Sequence, residues 1–184
     1  MSDSADMAGL APRRPTAKLM LSHPAHLIAL GFGSGLSPFA PGTVGTLWAW
    51  LAFLVLQPHL SAPQMAALLL LSFFVGWWAC TVTARALAMP DPGPIVWDEV
   101  LAFWLVLWLV TPTGLAAQGV AFVLFRYFDA VKPGPVAWAD RLFKGLRGQT
   151  IGWAQGFGIL FDDLVAALCT LMVIAVWRFG AAIF

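Results

Sequence analysis

The chain has 184 residues, of which 60% are hydrophobic and only 10% are charged, and its formal net charge is +1. A soluble domain carries roughly 25% charged residues, so this composition excludes an ordinary soluble fold and indicates an integral membrane protein. The small net charge gives no indication of a nucleic-acid partner. Cys80 and Cys169 both lie in apolar runs, where we expect free thiols and neither a disulfide nor a metal site.

The amino-terminal segment, residues 1–26, is polar and rich in Ala, Pro and Ser. We expect it to form a cytoplasmic tail that is disordered as far as about Thr16. It contains no apolar run of signal-peptide length, so we expect no cleaved signal. The remaining residues, 27–184, are enough for one membrane-embedded domain and little more.

A stretch dense in glycine and proline, residues 31–46, precedes the first apolar run and reads GFGSGLSPFAPGTVGT. This composition disfavours a regular helix and leaves backbone N–H groups free. We expect Ser37 or Thr43 to cap the following helix, whose amino end favours anions. The stretch is therefore a candidate phosphate-binding loop, although it lacks the GxxxxGK[ST] pattern. A re-entrant or interfacial turn without a ligand is an equal alternative.

Five apolar stretches approach the roughly 17 to 25 residues that a membrane-spanning helix needs. They are residues 44–56, 62–88, 95–110, 115–128 and 158–177. Some of them are short, so the number of full crossings is four or five. The predicted fold class is all-α, a polytopic membrane helical bundle with about five membrane helices.

The distribution of basic residues predicts the orientation of this bundle. The connections at residues 59–63 and 111–114 contain no charged residue, whereas Arg85 and the basic residues of segment 132–147 lie in the other connections. With five crossings, these residues and the basic tail fall on one side, and only Arg178 falls on the opposite side. Positive charge marks the cytoplasmic side, so we expect the amino terminus inside and the carboxyl terminus outside.

Five carboxylates lie at about the same depth, near the cytoplasmic ends of three predicted spans. They are Asp98, Glu99, Asp129, Asp162 and Asp163. Anions this close repel one another unless a cation joins them or some are protonated. Carboxylates without His or Cys nearby favour Mg²⁺ (or Mn²⁺) over Zn²⁺. We therefore predict that these residues supply both the metal ligands and the catalytic groups. The alternative is a set of ion pairs at the membrane edge.

Two basic residues, Arg126 and Lys132, flank Asp129 at intervals of three residues. A guanidinium offers a bidentate fork and an ammonium offers a point charge, so beside a metal site both suit a phosphate group. The alternative for both is that they reach for the membrane surface without binding a ligand. Asp140 lies beside Arg141 in a predicted connection, and we expect it to matter much less.

Four segments carry a resemblance to a known family: residues 31–46, IVWDE at 95–99, FRYFDAVKPGP at 125–135 and GFGILFDD at 156–163. In this order they resemble the phosphatidylglycerophosphatase A family of bacterial membrane enzymes, and they extend over most of the chain from residue 30 to residue 170. The resemblance implies Mg²⁺-dependent hydrolysis of phosphatidylglycerophosphate to phosphatidylglycerol and phosphate. It also implies an active site at the cytoplasmic face of the bacterial inner membrane. The oligomeric state is left open.

The main alternative is a small ion- or proton-coupled transporter, in which buried carboxylates line a path through the membrane. A transporter predicts acids spread over the depth of the bilayer, whereas these acids cluster near one face. A transferase that uses CDP-alcohols is a second alternative, but its DGxxARxxxxxxxxGxxxD pattern is absent.

Overall fold

The structure is a computed structural model that describes residues 14–144 and 151–183. Within these ranges the chain is all-helical, as predicted, with two short 3₁₀ helices at Gly31–Leu36 and Gln57–His59. The α-helices are α1 (Ala17–Ser22), α2 (Pro24–Ala29), α3 (Pro41–Leu56), α4 (Ala62–Leu87), α5 (Trp97–Val110), α6 (Leu115–Val131), α7 (Pro135–Lys144) and α8 (Trp153–Ile183).

Helix α5 is the centre of the bundle and packs against α3, α4, α6 and α8. Ten of its 14 residues are buried, so its neighbours shield it from the surroundings. Two indole groups tie it to these neighbours. Nε1 of Trp104 donates to the carbonyl of Ala49 on α3 at 2.8 Å, and Nε1 of Trp97 donates to the carbonyl of Ser72 on α4 at 3.1 Å.

In the part of the chain that the structure describes, two helices, Ala62–Leu87 and Trp153–Gly180, are long and apolar enough to cross a membrane. Helices α3, α5 and α6 match predicted spans in position but have only 16, 14 and 17 residues. A 14-residue helix is about 21 Å long, against a hydrocarbon core of about 30 Å. The prediction of about five membrane helices is therefore not confirmed.

The outer surface of the bundle carries many large apolar side chains. Leu51, Leu70, Val123 and Val176 are 61–72% exposed and belong to four different helices. An exposed apolar surface this extensive is unusual for a soluble monomer and marks contact with lipid or with another protein. Together with the two long apolar helices, it supports membrane association.

Residues 17–46 differ from their prediction in three ways. Residues 17–26 of the predicted tail are largely helical, because they contain α1 and the start of α2. The stretch 31–46 is helical at both ends and not an irregular loop throughout. Neither Ser37 nor Thr43 caps α3, because the N-cap is Ala40 in the left-handed conformation, with φ 44°, and it makes no side-chain capping bond. Pro41 opens the helix instead, since the first turn needs no proline N–H.

Candidate active site

Three of the five predicted carboxylates converge. Asp98 and Glu99 lie in the first turn of α5, where the helix dipole favours anions. Asp163 reaches them from α8, and one oxygen of each residue lies within 4.8 Å of the others. The entry to α5 is anchored on α2, because the amide of Val96 donates to the carbonyl of Ala29 at 2.9 Å.

This acidic cluster, Asp98, Glu99 and Asp163, has unsatisfied oxygens. Oδ1 of Asp98, Oε2 of Glu99 and Oδ2 of Asp163 are buried and have no hydrogen-bond partner. Glu99 and Asp163 are only 8% and 3% exposed. Burying a carboxylate oxygen without a partner is costly, and three in one place also repel one another. A hard divalent cation relieves both costs, so the donor set fits Mg²⁺ or Mn²⁺.

Arg126 joins the acidic cluster to α6 and α3. Its Nη1 pairs with Asp129 one turn later, lies 3.6 Å from Oε1 of Glu99 and donates to Oγ1 of Thr46 at 3.4 Å. Asp129 is 8% exposed. Nε of Arg126 is buried and has no partner. The guanidinium therefore keeps one directed donor unused beside the cluster.

The amino end of α3 abuts both Glu99 and Arg126, and Gly42 makes this approach possible. A Cβ atom at Gly42 would lie 2.2 Å from Oε1 of Glu99 and 3.1 Å from Nη1 and Nη2 of Arg126. The hydroxyl of Thr46 donates to the Gly42 carbonyl at 2.7 Å, one turn further along. Sequence reasoning missed Gly42 and Thr46, although their four-residue spacing places both on one helix face.

Ser37 and Thr43, which we predicted to cap α3 and to bind phosphate, do not cap this helix. The Ser37 hydroxyl donates to the carbonyl of Phe39 at 2.8 Å, within the turn that precedes α3. Thr43 lies in the first turn of α3, next to Gly42, and is partly buried. A role of Ser37 or Thr43 in binding phosphate remains a prediction.

Lys132 is placed between two carboxylates. It is the C-cap of α6, pairs with Asp162 of α8, and its Nζ lies 2.6 Å from Oδ1 of Asp140. Burial alone would lower the pKa of Lys132, but the carboxylates of Asp162 and Asp140 outweigh burial and raise this pKa above its usual value. Asp140 lies on α7 and not in an irregular connection. Asp162 is thus held by a cation of the protein itself, and it lies outside the acidic cluster.

Comparison with known proteins provides the context for this site. The family Phosphatidylglycerophosphatase A matches residues 27–178. Phosphatidylglycerophosphatase A of Escherichia coli (strain K12) is 37% identical over 152 residues, which cover 83% of this chain and 82% of the relative. The protein of the same name from Haemophilus influenzae is 34% identical over 160 residues, which cover 87% and 92%.

A third relative, a putative phosphatidylinositol-3-phosphatase of Bacteroides thetaiotaomicron, is 39% identical over 158 residues, which cover 83% of this chain and 92% of the relative. No solved structure matches the chain. None of these relatives is a transporter by name, so the transporter alternative receives no support. Since the family match and the relatives both span most of the chain, the chain belongs to the phosphatidylglycerophosphatase A family.

Proposed function

We propose that this protein is a Mg²⁺-dependent lipid phosphatase that hydrolyses phosphatidylglycerophosphate at the cytoplasmic face of the bacterial inner membrane. The observation that carries the proposal is the set of unpartnered carboxylate oxygens on Asp98, Glu99 and Asp163 beside Arg126. The names of two relatives supply the lipid substrate.

The reaction cleaves a phosphomonoester. A water oxygen forms a bond to phosphorus, the bond between phosphorus and the glycerol oxygen breaks, and that oxygen takes up a proton. The products are phosphatidylglycerol and inorganic phosphate. A divalent cation held by the acidic cluster would polarise the phosphate and make a bound water more acidic.

The side chains around the acidic cluster supply the remaining functions. Arg126 neutralises charge on the phosphate oxygens. Its Nε–H has no partner, so it can donate a hydrogen bond to the phosphate while Nη1 keeps its ion pair with Asp129. The backbone amides of Gly42 and Thr43 open a 16-residue helix, and this amino end favours an anion. Asp129 pairs with Arg126 and is not one of the three residues of the acidic cluster, so in this proposal it is the candidate to accept the proton of the attacking water.

The membrane placement belongs to the same proposal. Arg85, in the last turn of α4, donates to the carbonyl of Ile151 just before α8, and Lys132 pairs with Asp162 next to the acidic cluster. Arg178 lies near the far end of α8. Since basic residues mark the cytoplasmic side, this distribution supports a cytoplasmic active site in a chain that crosses the membrane several times. The apolar outer surface of the bundle supports the same placement.

Phosphate release from two lipids tests the activity. Purified full-length protein in detergent receives phosphatidylglycerophosphate or phosphatidylinositol 3-phosphate, the second because one relative is named for it. We expect rapid release from phosphatidylglycerophosphate with Mg²⁺ and none after EDTA. Release from the inositol lipid alone would transfer the proposal to that substrate. Undiminished release in EDTA would refute the metal requirement.

Cysteine labelling tests the orientation, in a chain whose Cys80 and Cys169 are replaced by alanine. Single cysteines at the exposed positions Ser61 and Ala116 should react with an impermeant thiol reagent added to intact cells. A cysteine at the exposed position Arg141 should react only after the cells are opened. The reverse pattern would place the active site outside.

A further inference from the structure

Among the residues that the structure describes, an ion network with Lys132 at its centre joins three helices beside the acidic cluster. Lys132 at the end of α6 contacts Asp140 of α7 and Asp162 of α8. The side chains of Lys132, Asp140 and Asp162 are 28%, 19% and 8% exposed, so water screens these pairs less than it screens surface pairs. Lys132 also has a left-handed backbone, with φ 49°, which a residue with a side chain seldom adopts. The surrounding structure therefore determines its position closely.

Helix α7 rests directly on α8 near this network. A Cβ atom at Gly158 of α8 would collide with Cβ of Phe143 on α7, so the two backbones approach as closely as a glycine permits. Val136 and Ala139 of α7 are fully buried. Asp162 follows Gly158 by one helical turn and therefore lies on the same side of α8.

The network can act on the acidic cluster because Asp162 and Asp163 are neighbours on one helix. Successive side chains on an α-helix point about 100° apart. Asp162 faces Lys132, while Asp163 joins Asp98 and Glu99. The ion pair that holds Asp162 therefore limits the rotation of α8 about its axis. In this way it fixes the position of the Asp163 carboxylate relative to Asp98 and Glu99.

We propose that Asp140 is a positioning residue, which holds Lys132 and through it Asp162, and so sets the place of the Asp163 carboxylate among the ligands of the divalent cation. This inference rests on the proposed function for the identity of the cation. In this proposal Asp140 acts through Lys132 and is not itself a ligand of the cation. The network also gives Lys132 a role other than contact with the phosphate.

The test measures Mn²⁺ binding to the purified full-length protein in detergent, by electron paramagnetic resonance of the free ion and without any lipid substrate. We expect Asp140→Asn to weaken Mn²⁺ binding roughly tenfold, the lower end of the range for groups that orient metal ligands. Asp140→Glu keeps the charge and should stay within about threefold of wild type. Arg141→Gln is the matched control, because Arg141 is the exposed neighbour on the same helix, and it should bind as wild type does.

Three results would overturn the proposal. They are wild-type affinity in Asp140→Asn, an equal loss in Arg141→Gln, and no recovery in Asp140→Glu. A general weakening of α7 would lower the melting temperature of Asp140→Asn and Arg141→Gln alike, whereas the proposal predicts loss of affinity in a folded protein. A wild-type protein that binds Mn²⁺ but releases no phosphate would refute the proposed function and leave this inference intact. A wild-type protein that binds no Mn²⁺ would overturn the inference itself.

Discussion

Gly42 offers a direct test of the active-site geometry, because its substitution adds one methyl group between Glu99 and Arg126. In Gly42→Ala the new Cβ atom would lie 2.2 Å from Oε1 of Glu99. An ordinary non-bonded contact is about 3.5 Å, so the carboxylate must retreat by about 1.3 Å. The end of a glutamate side chain can make this movement, and the protein should therefore still fold.

The expected loss of activity follows from this displacement. A misplacement of about 1 Å at a reacting centre costs on the order of a hundredfold in rate, which corresponds to about 2.7 kcal/mol. The guanidinium of Arg126 must also move, since both Nη atoms would lie 3.1 Å from the new carbon. Alanine is a better helix former than glycine by about 1 kcal/mol, which offsets part of the steric cost to stability. We therefore expect a large loss of activity with a small change in melting temperature.

The assay compares phosphate release by Gly42→Ala and by Gly119→Ala. Gly119 is a matched control on α6, because a Cβ atom there would meet only the ring of Trp50 at 3.6 Å, an ordinary contact. Gly119→Ala should keep wild-type kcat/KM, and Gly42→Ala should lose about a hundredfold. A Gly42→Ala rate within about threefold of wild type would refute the close approach of α3 to the catalytic groups.

Three further predictions concern single side chains. Arg126→Lys keeps the charge but lacks the Nε–H donor, and kcat/KM should fall roughly 10²- to 10³-fold, whereas a change within about threefold would return Arg126 to a structural role. Asp163→Asn removes a proposed ligand and should weaken Mn²⁺ binding by more than about tenfold, so unchanged affinity would exclude it from the cation site. Burial and the neighbouring His23 lower the pKa of His26, whose Nδ1 lies 2.9 Å from Oγ1 of Thr83. The unfolded chain therefore binds the proton more readily, and stability should fall as the pH drops below about 6.5, the value of an unperturbed histidine. The melting temperature of His26→Gln should lack this component, and identical pH profiles would contradict the assignment.

Hydropathy was enough to locate the five longest helices, α3, α4, α5, α6 and α8, but it did not predict α1, α2 or α7. The prediction of residues 62–88 nearly coincides with α4, Ala62–Leu87, because a long apolar run between polar connections has few alternative structures. The placement of the carboxylates near one end of three apolar segments follows from the same pattern. The partners of these carboxylates could not be predicted from the pattern. Asp162 and Asp163 are neighbours in the sequence, but Asp162 faces Lys132 and Asp163 faces Asp98 and Glu99. The rotation of α8 that decides this depends on its packing against distant segments of the chain.

Two errors have specific physical origins. We placed Asp140 in a connection between predicted spans, yet Pro135 begins α7, since proline suits the first position of a helix. Gly42 was overlooked because its contribution is the absence of a side chain. The need for a glycine at this position becomes visible once Glu99 and Arg126, which come from distant parts of the chain, are seen to occupy the space that a Cβ atom would take.

The burial of α5 has a consequence for how a lipid bilayer would act on the bundle under the proposed membrane placement. A helix of 14 residues exposed to lipid would be too short for the bilayer, and the mismatch would cost free energy for each ångström of difference. Because α3, α4, α6 and α8 pack around α5, the thickness of such a bilayer would act on these outer helices and would reach α5 through them. Reconstitution in lipids of different acyl-chain length should therefore change the stability of the bundle more than the affinity of the site at the start of α5.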